Sequence, residues 1–125
     1  MIARSPITVL GAGGWIGSAL VAELKGQGRS VRAITRKSFS DWLSNSDSYG
    51  PVIYTIGLTS DFRYRPHETI EAHVSLLSQV LRRPGIEKLV FLSSTRVYSR
   101  SLDTSETDLL PCLSSDPSDI YNISK

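Results

Sequence analysis

Residues 7–20 read ITVLGAGGWIGSAL, and the fold turns on the change of character at residue 11. Ile7-Thr8-Val9-Leu10 is a short apolar run that stops at a glycine cluster, as a buried strand does when it feeds a turn. Beyond the cluster Ile16, Leu20 and Leu24 recur every four residues with Ala19 between them. That spacing gives one apolar stripe on a helix, which Gly26 and Gly28 end.

Working outward, Val31 to Thr35 reads as a second strand. The polar, serine-rich stretch from Arg36 to Pro51 has only Phe39, Trp42 and Leu43 to anchor about two helical turns. Val52 to Ile56 is a third strand closed by Gly57. A helix should follow with Ile70, Val74, Leu77 and Leu81 at helical spacing, until Pro84-Gly85 breaks it. Leu89 to Leu92 is a fourth strand, continuously apolar as in strands buried on both faces. Ser99 to Asp119 reads as loop, and no internal repeat is visible. Strands alternating with helices imply parallel pairing through right-handed crossovers, hence an α/β, doubly wound parallel sheet of the Rossmann kind. Ligands of such sheets bind beyond the carboxyl ends of the strands.

Length and composition agree with one soluble domain covering residues 1–125. The chain is 40% hydrophobic and 21% charged, and its net charge of +2 comes from 14 basic and 12 acidic residues spread along it. Nothing in that balance calls for nucleic acid or a membrane surface. The apolar run near the start is interrupted after four residues, far short of the roughly 18 that a spanning helix needs. One cysteine, Cys112, cannot form an internal disulfide, and Cys and His are too few for a zinc site, so no metal is expected. A reducing, cytoplasmic setting fits.

In GAGGWIG, Gly11, Gly14 and Gly17 stand at the strand-to-helix junction. A turn without side chains lets the backbone approach a pyrophosphate, and a helix N-terminus offers unbonded N–H groups with partial positive charge. The spacing is GxxGxxG, not the commoner GxGxxG, although Gly13 supplies a second glycine pair. A glycine turn can also serve packing alone. No Lys-Ser or Lys-Thr follows the last glycine, which excludes a P-loop. At the end of the second strand Thr35-Arg36-Lys37 offers cations where an acidic residue would bond the ribose of NAD, which favours NADP. A solvated basic turn is the other reading of those residues.

Together, GAGGWIG, the strand LVFLSSTRVY and the terminal YNISK resemble the extended short-chain dehydrogenase/reductase superfamily, and the NAD-dependent epimerase/dehydratase family in particular. Ser93-Ser94 precedes Val97-Tyr98, and the YxxxK pair Tyr121 and Lys125 begins 27 residues after Ser94. The resemblance implies Tyr121 as acid/base, Lys125 as its electrostatic partner and Ser94 as the group holding the reacting oxygen, with Thr95 the competitor for that last role. Cofactor contacts implied are Gly11, Gly14, Trp15, Ile16, Gly17, Arg36, Ile56, Gly57, Tyr121 and Lys125, for NADP or NAD. A free tyrosine has a pKa of about 10, too high for a base at neutral pH, and a nearby ammonium would stabilise its phenolate. Residues four apart share a helix face, which would point Lys125 the same way as Tyr121. A serine at a strand end also bonds local backbone commonly.

The sequence departs from the family in three places. The 16 residues from Arg36 to Pro51 cannot hold the further strand and helix usual there, and Asp41 and Asp47 do not replace the family's adenine-side aspartate. His73 stands where asparagine is usual, as a retuned contact near the site or as a structural histidine. Arg63 and Arg65 could meet substrate phosphates or be solvated. The family runs well over a hundred residues past YxxxK, and a helix begun near Tyr121 would have barely one unstable turn here. The expectation is therefore a cofactor-binding fragment, inactive alone, with an exposed sheet edge prone to association. Its complete form would be a homodimer acting on a small-molecule substrate, a nucleotide sugar or related hydroxyl/carbonyl compound. The alternatives are a redox sensor that binds the cofactor without turnover, and a truncated remnant without function.

Overall fold

The computed structural model describes residues 4–45, 47, 49–113 and 115–125, with Pro117 described through its backbone alone. The chain falls into two compact units, Met1–Ile56 with Leu77–Leu92 and Gly57–Leu76 with Ser93–Lys125.

The first unit is built on a parallel sheet. Strand β1 (Ile7–Leu10) leads into helix α1 (Trp15–Gly26), strand β2 (Val31–Ile34), helix α2 (Phe39–Ser44) and strand β3 (Gly50–Tyr54), and strand β4 (Ile86–Phe91) completes the sheet. The order is β2-β1-β3-β4, every neighbour parallel. From β1 the chain steps to one side for β2 and then crosses to the other for β3, so the order reverses at β1 and β3. That reversal opens the crevice in which doubly wound sheets bind ligands.

Val9 and Leu10 are fully buried, as suits a central strand covered on both faces. Leu20, Val21 and Leu24 of α1, with Val31 and Ile53, pack on Ile7, Val9 and Ala12. Ile16 was expected in that stripe but is 54% exposed; Gly17 and Val21 take the inward positions instead. Strand β3 starts two residues before its expected Val52, because the Gly50 N–H bonds Gly85 O at 3.1 Å and a register shift at Gly50/Pro51 accommodates a residue without an N–H. It also ends at Tyr54, where Thr55 turns away. The apolar run in β4 does not mean double burial: β4 is the edge of this sheet, and Val90 is 40% exposed.

Arg83 fastens this unit. Its guanidinium lies 4.3 Å from the Trp42 ring centre and donates to the carbonyls of Trp42, Asn45 and Pro84, closing the chain end of α2. A cation can be buried here because its donors meet carbonyl acceptors and its face meets a π-system.

The second unit contains a 3-10 turn (Phe62–Tyr64), helix α3 (Pro66–Ile70), a π-helical segment (Glu71–Ser75), a 3-10 turn (Thr95–Tyr98) and helix α5 (Pro117–Ser124); helix α4 (Leu76–Arg82) continues from the π segment. Helix formation begins one turn before the first apolar residue of the stripe, Ile70, because Pro66 takes the first helical position, where its missing N–H costs nothing. The π segment turns the expected stripe outward. Ile70, Val74 and Leu81 are exposed, while Thr69, Ala72, His73 and Val80 are buried. Helix α5 also starts earlier than expected: the Asp116 side chain accepts from the Ser118 N–H and Pro117 takes the first position, giving eight residues where barely one turn was expected. Asp119, 2% exposed, accepts from the Leu113 N–H, Asn122 and Arg100, and Arg100 also pairs with Asp116. These bonds tie the long loop to α5.

Replacing Arg83 by methionine keeps much of its volume but leaves three carbonyls without their donor. Arg83→Met should lower stability by roughly 2–3 kcal/mol in chemical denaturation; a change within about 0.5 kcal/mol, usual for surface substitutions, would contradict this role.

Candidate functional site

The candidate residues fall into two groups, one in each unit. In the first unit Gly11 follows β1 with φ of 82°, a conformation that glycine adopts without strain. A Cβ on Gly17 would lie 2.0 Å from Gly11 O and 2.7 Å from Gly11 C, so the start of α1 can approach the turn only as glycine. Thr55, at the end of β3, locks this approach. Its hydroxyl donates to Leu10 O at 2.6 Å and lies 3.3 Å from Gly11 O, and its N–H bonds Leu10 O at 3.0 Å. Gly11 and Gly17 thus serve packing as well as any ligand, and Thr55 is a site residue that the motif did not reveal.

Gly14 caps α1 without a side-chain bond, and no acid stands in the first turn. The first helical bond at this end runs from Ser18 N–H to Gly14 O, so the N–H groups of Trp15, Ile16 and Gly17 precede any partner one turn back. Trp15 is 90% exposed, leaving the end of the helix open. A Cβ on Gly13 would meet nothing closer than Thr35 at 3.8 Å, which places the end of β2 beside the glycine turn. There Ser38 Oγ accepts from the Thr35 N–H at 2.9 Å, shaping the turn that presents Arg36, which is exposed. A side-chain-free cradle against an open helix N-terminus fits a pyrophosphate. Ile56 belongs to the same group: its N–H nitrogen lies 3.0 Å from where a Cβ on Gly11 would stand.

In the second unit Tyr121 and Lys125 meet His73 and Gly57. The Tyr121 ring is 8% exposed, 4.3 Å from the Phe62 ring centre and edge-on to His73 at 5.0 Å. The Lys125 N–H continues the helical ladder to Tyr121 O at 3.0 Å, and Ser93 Oγ donates to Lys125 O at 3.1 Å. A Cβ on Gly57 would come within 3.3 Å of Lys125 Nζ and 3.7 Å of His73 Nε2. Gly57 therefore leaves room for both. Ser94 caps the 3-10 turn that follows, its hydroxyl accepting from the Arg96 N–H at 3.2 Å, and Thr95 opens that turn.

His73 is 1% exposed, so it is not a half-buried surface histidine. Burial, reinforced by the Lys125 charge, lowers its pKa to about 4; burial also lowers that of Lys125. On Asp119 the Leu113 N–H leads the groups that hold the carboxyl below its ordinary value. Arg63 donates to Ser118 at 2.9 Å and, like Arg96, lies over Phe62; Arg65 pairs with Asp61 and Glu68. With Arg100, Asp116, Asp119 and Asn122, the first two arginines line a polar pocket of about 260 Å³. Among the described residues no group of three or more His, Cys, Asp or Glu could hold a metal, and no helix is long and apolar enough to cross a membrane.

This parallel sheet with its glycine turn has the Rossmann-like fold of similar solved structures, one of them a short-chain dehydrogenase/reductase superfamily protein. Residues 7–63 match the model of the NAD dependent epimerase/dehydratase family, which bears out the resemblance over the part of the chain that holds the glycine motif. That match ends before Ser94, Tyr121 and Lys125. Three solved structures are similar. One is a short-chain dehydrogenase/reductase superfamily protein from Agrobacterium tumefaciens with bound NAD, at TM-score 0.68 and 24% identity over 95% of this chain and 41% of that one. Another is MoeE5 in complex with UDP-glucose and NAD, at TM-score 0.72 and 26% identity over 96% of this chain and 45% of that one. DdhaC matches at TM-score 0.77 and 22% identity over 99% of this chain and 40% of that one. The chain thus spans less than half the length of each. Among curated proteins none matches in sequence.

Two glycines should respond in opposite directions. Gly17→Ala drives a Cβ into backbone and should cost about 3 kcal/mol or more, whereas Gly26→Ala meets nothing within 4 Å and should stabilise α1 by about 0.5–1 kcal/mol. Thermal unfolding of both variants checks this, and equal effects would contradict the packing described. For His73 the folded pKa of about 4 lies below the ordinary 6.5, so its contribution is complete above pH 6.5 and fades as the pH falls toward 4. Denaturation across that window should show a pH slope that His73→Asn reduces.

Proposed function

We propose that the chain is the cofactor-binding domain of a nicotinamide-dependent enzyme of the epimerase/dehydratase or reductase type. The observation that carries this reading is the glycine-lined, uncapped N-terminus of α1 at the point where strand order reverses. The family match over 7–63 and the NAD in two similar structures support it. In this reading Gly11, Gly13 and Gly14 admit the pyrophosphate, the N–H groups of Trp15, Ile16 and Gly17 bond it, and Ile56 and Gly57 lie along the cofactor. Arg36 meets the 2′-phosphate of NADP, the favoured form, with NAD the alternative.

When bound, the nicotinamide supplies the hydride acceptor. The protein supplies the proton path. Tyr121 takes the hydroxyl proton as the substrate carbon loses its hydride, so that an alcohol becomes a carbonyl and the pair of electrons leaves with the hydride. Lys125 stabilises the phenolate by its charge, and Ser94 donates to the reacting oxygen once its hydroxyl turns from the Arg96 N–H. Return of the hydride would make the reaction an epimerisation or lead to dehydration. The substrate class is a hydroxyl/carbonyl compound such as a nucleotide sugar, supported by the UDP-glucose in MoeE5. A second copy of the chain is the partner proposed for the exposed Ile70 and Val74.

Gly13→Asp tests the cradle, because the new side chain has room but brings negative charge to the phosphate position. Calorimetric titration should show NADP binding to the unaltered chain and at least a tenfold loss in Gly13→Asp with folding intact; unchanged binding would refute the site. Arg36→Ala should weaken NADP about tenfold and leave NAD unaffected. Equal loss of both would remove Arg36 from the 2′-phosphate. In the active enzyme, Tyr121→Phe should lower turnover by about 100-fold or more, while full retained turnover would reassign the acid/base.

A further inference from the structure

The tautomer of His73 is constrained by its neighbours. Its Nδ1 lies 2.8 Å from Ser124 Oγ, and the Ser124 hydroxyl donates its single proton to Tyr121 O at 3.2 Å. With that proton on Tyr121 O, the serine oxygen accepts from the ring, so the proton sits on Nδ1 and Nε2 carries the lone pair; a hydroxyl turned to Nδ1 would give the reverse. Nε2 is buried and has no hydrogen-bond partner among the described residues, an arrangement that costs free energy unless something uses it. It borders the space above Gly57, where Lys125 Nζ also lies. The opposite tautomer would aim an N–H dipole at an ammonium. The lysine charge therefore selects the Nδ1–H form, and the serine bond accommodates it.

We propose that His73 is a positioning residue for Lys125: Ser124 locks the Nδ1–H tautomer, and the Nε2 lone pair facing the space over Gly57 is the acceptor against which the ammonium is set. This inference deepens the proposed role of Lys125 and rests on it for its catalytic meaning. The geometry explains why the ring must stay neutral. A protonated His73 would put a second cation beside Lys125, and burial with that charge opposes protonation down to about pH 4. The ionisable groups facing the ring are Lys125 and Tyr121, both brought by the end of α5. The edge-on contact with Tyr121 fixes the ring plane, and the π segment that carries His73 brings it, rather than Ile70 or Val74, to a buried position.

Nitrogen-15 NMR of the imidazole rings tests this on the unaltered protein, with His67→Gln assigning the two histidines. The expected result is one His73 ring, protonated on Nδ1 alone and neutral from pH 8 to about pH 4. Lys125→Met should raise the pH at which His73 takes up its second proton, and Ser124→Ala should let the other tautomer appear. An Nε2–H ring in the unaltered protein, or a titration that ignores Lys125→Met, overturns the proposal. In the active enzyme His73→Phe should lower kcat and move the acid limb of its pH profile upward with KM little changed, and His73→Asn should restore part of both. A profile unmoved by His73→Phe would also overturn it. Failure of NADP to bind would strike the dinucleotide reading while leaving the ring's tautomer as found.

Discussion

The carbonyl of Gly11 stands where a side chain on residue 17 would begin. That close approach, 2.0 Å from the Cβ position, sets where α1 starts and how near its N-terminus comes to the end of β1. Thr55 holds the other side by bonding Leu10 O, so the ends of β1 and β3 are fixed at the reversal of strand order. A helix end brought this near a strand end, with no side chain between, has the geometry that the proposed function uses for a pyrophosphate. In the proposed function the same atoms serve stability and binding.

The second unit uses different means. It has no sheet among its described residues, and order comes from buried polar groups with assigned partners. Asp119 gathers the Leu113 N–H, Asn122 and Arg100, and Asp116 caps α5 while pairing with Arg100. Such networks are rigid when complete, because an unpaired member in a low-dielectric setting is costly. The start of α5 is held by them, and Tyr121 follows within the same helix. Outside that network, His73 Nε2 is buried without a hydrogen-bond partner among the described residues, and it adjoins the proposed chemistry.

Much of the fold was legible because it rests on local signals. Ile7–Leu10, the helix after the glycines and the short helix at Phe39 follow from apolar spacing and breakers that the structure respects. Misreadings came where tertiary context overrode them. Apolar β4 is an edge strand, and Pro51, a breaker by itself, is accommodated by a register shift. A π turn cannot be seen in periodicity, since Ile70, Val74, Leu77 and Leu81 fit an α-helix while Ile70, Val74 and Leu81 are exposed in the structure. The start of α5 could have been read, for Asp116 before Pro117 is a cap followed by a first-position proline. Among the candidate residues, the glycines of the first unit and the Tyr121–Lys125 pair of the second were visible as motifs. Thr55 and Ser124 were not, because each acts through contacts distant in sequence from any motif, and common hydroxyl residues carry no spacing signal.

The account depends most on the open N-terminus of α1 being a dinucleotide site. Amide chemical shifts of the isotope-labelled chain, followed while NADP is added, test it at single residues. The prediction is that Gly11, Gly13, Gly14, Trp15, Ile16 and Gly17 shift first and most, with Arg36 among the responders. Saturable shifts elsewhere with this turn unmoved, or no shifts at millimolar NADP in a folded chain, would contradict it.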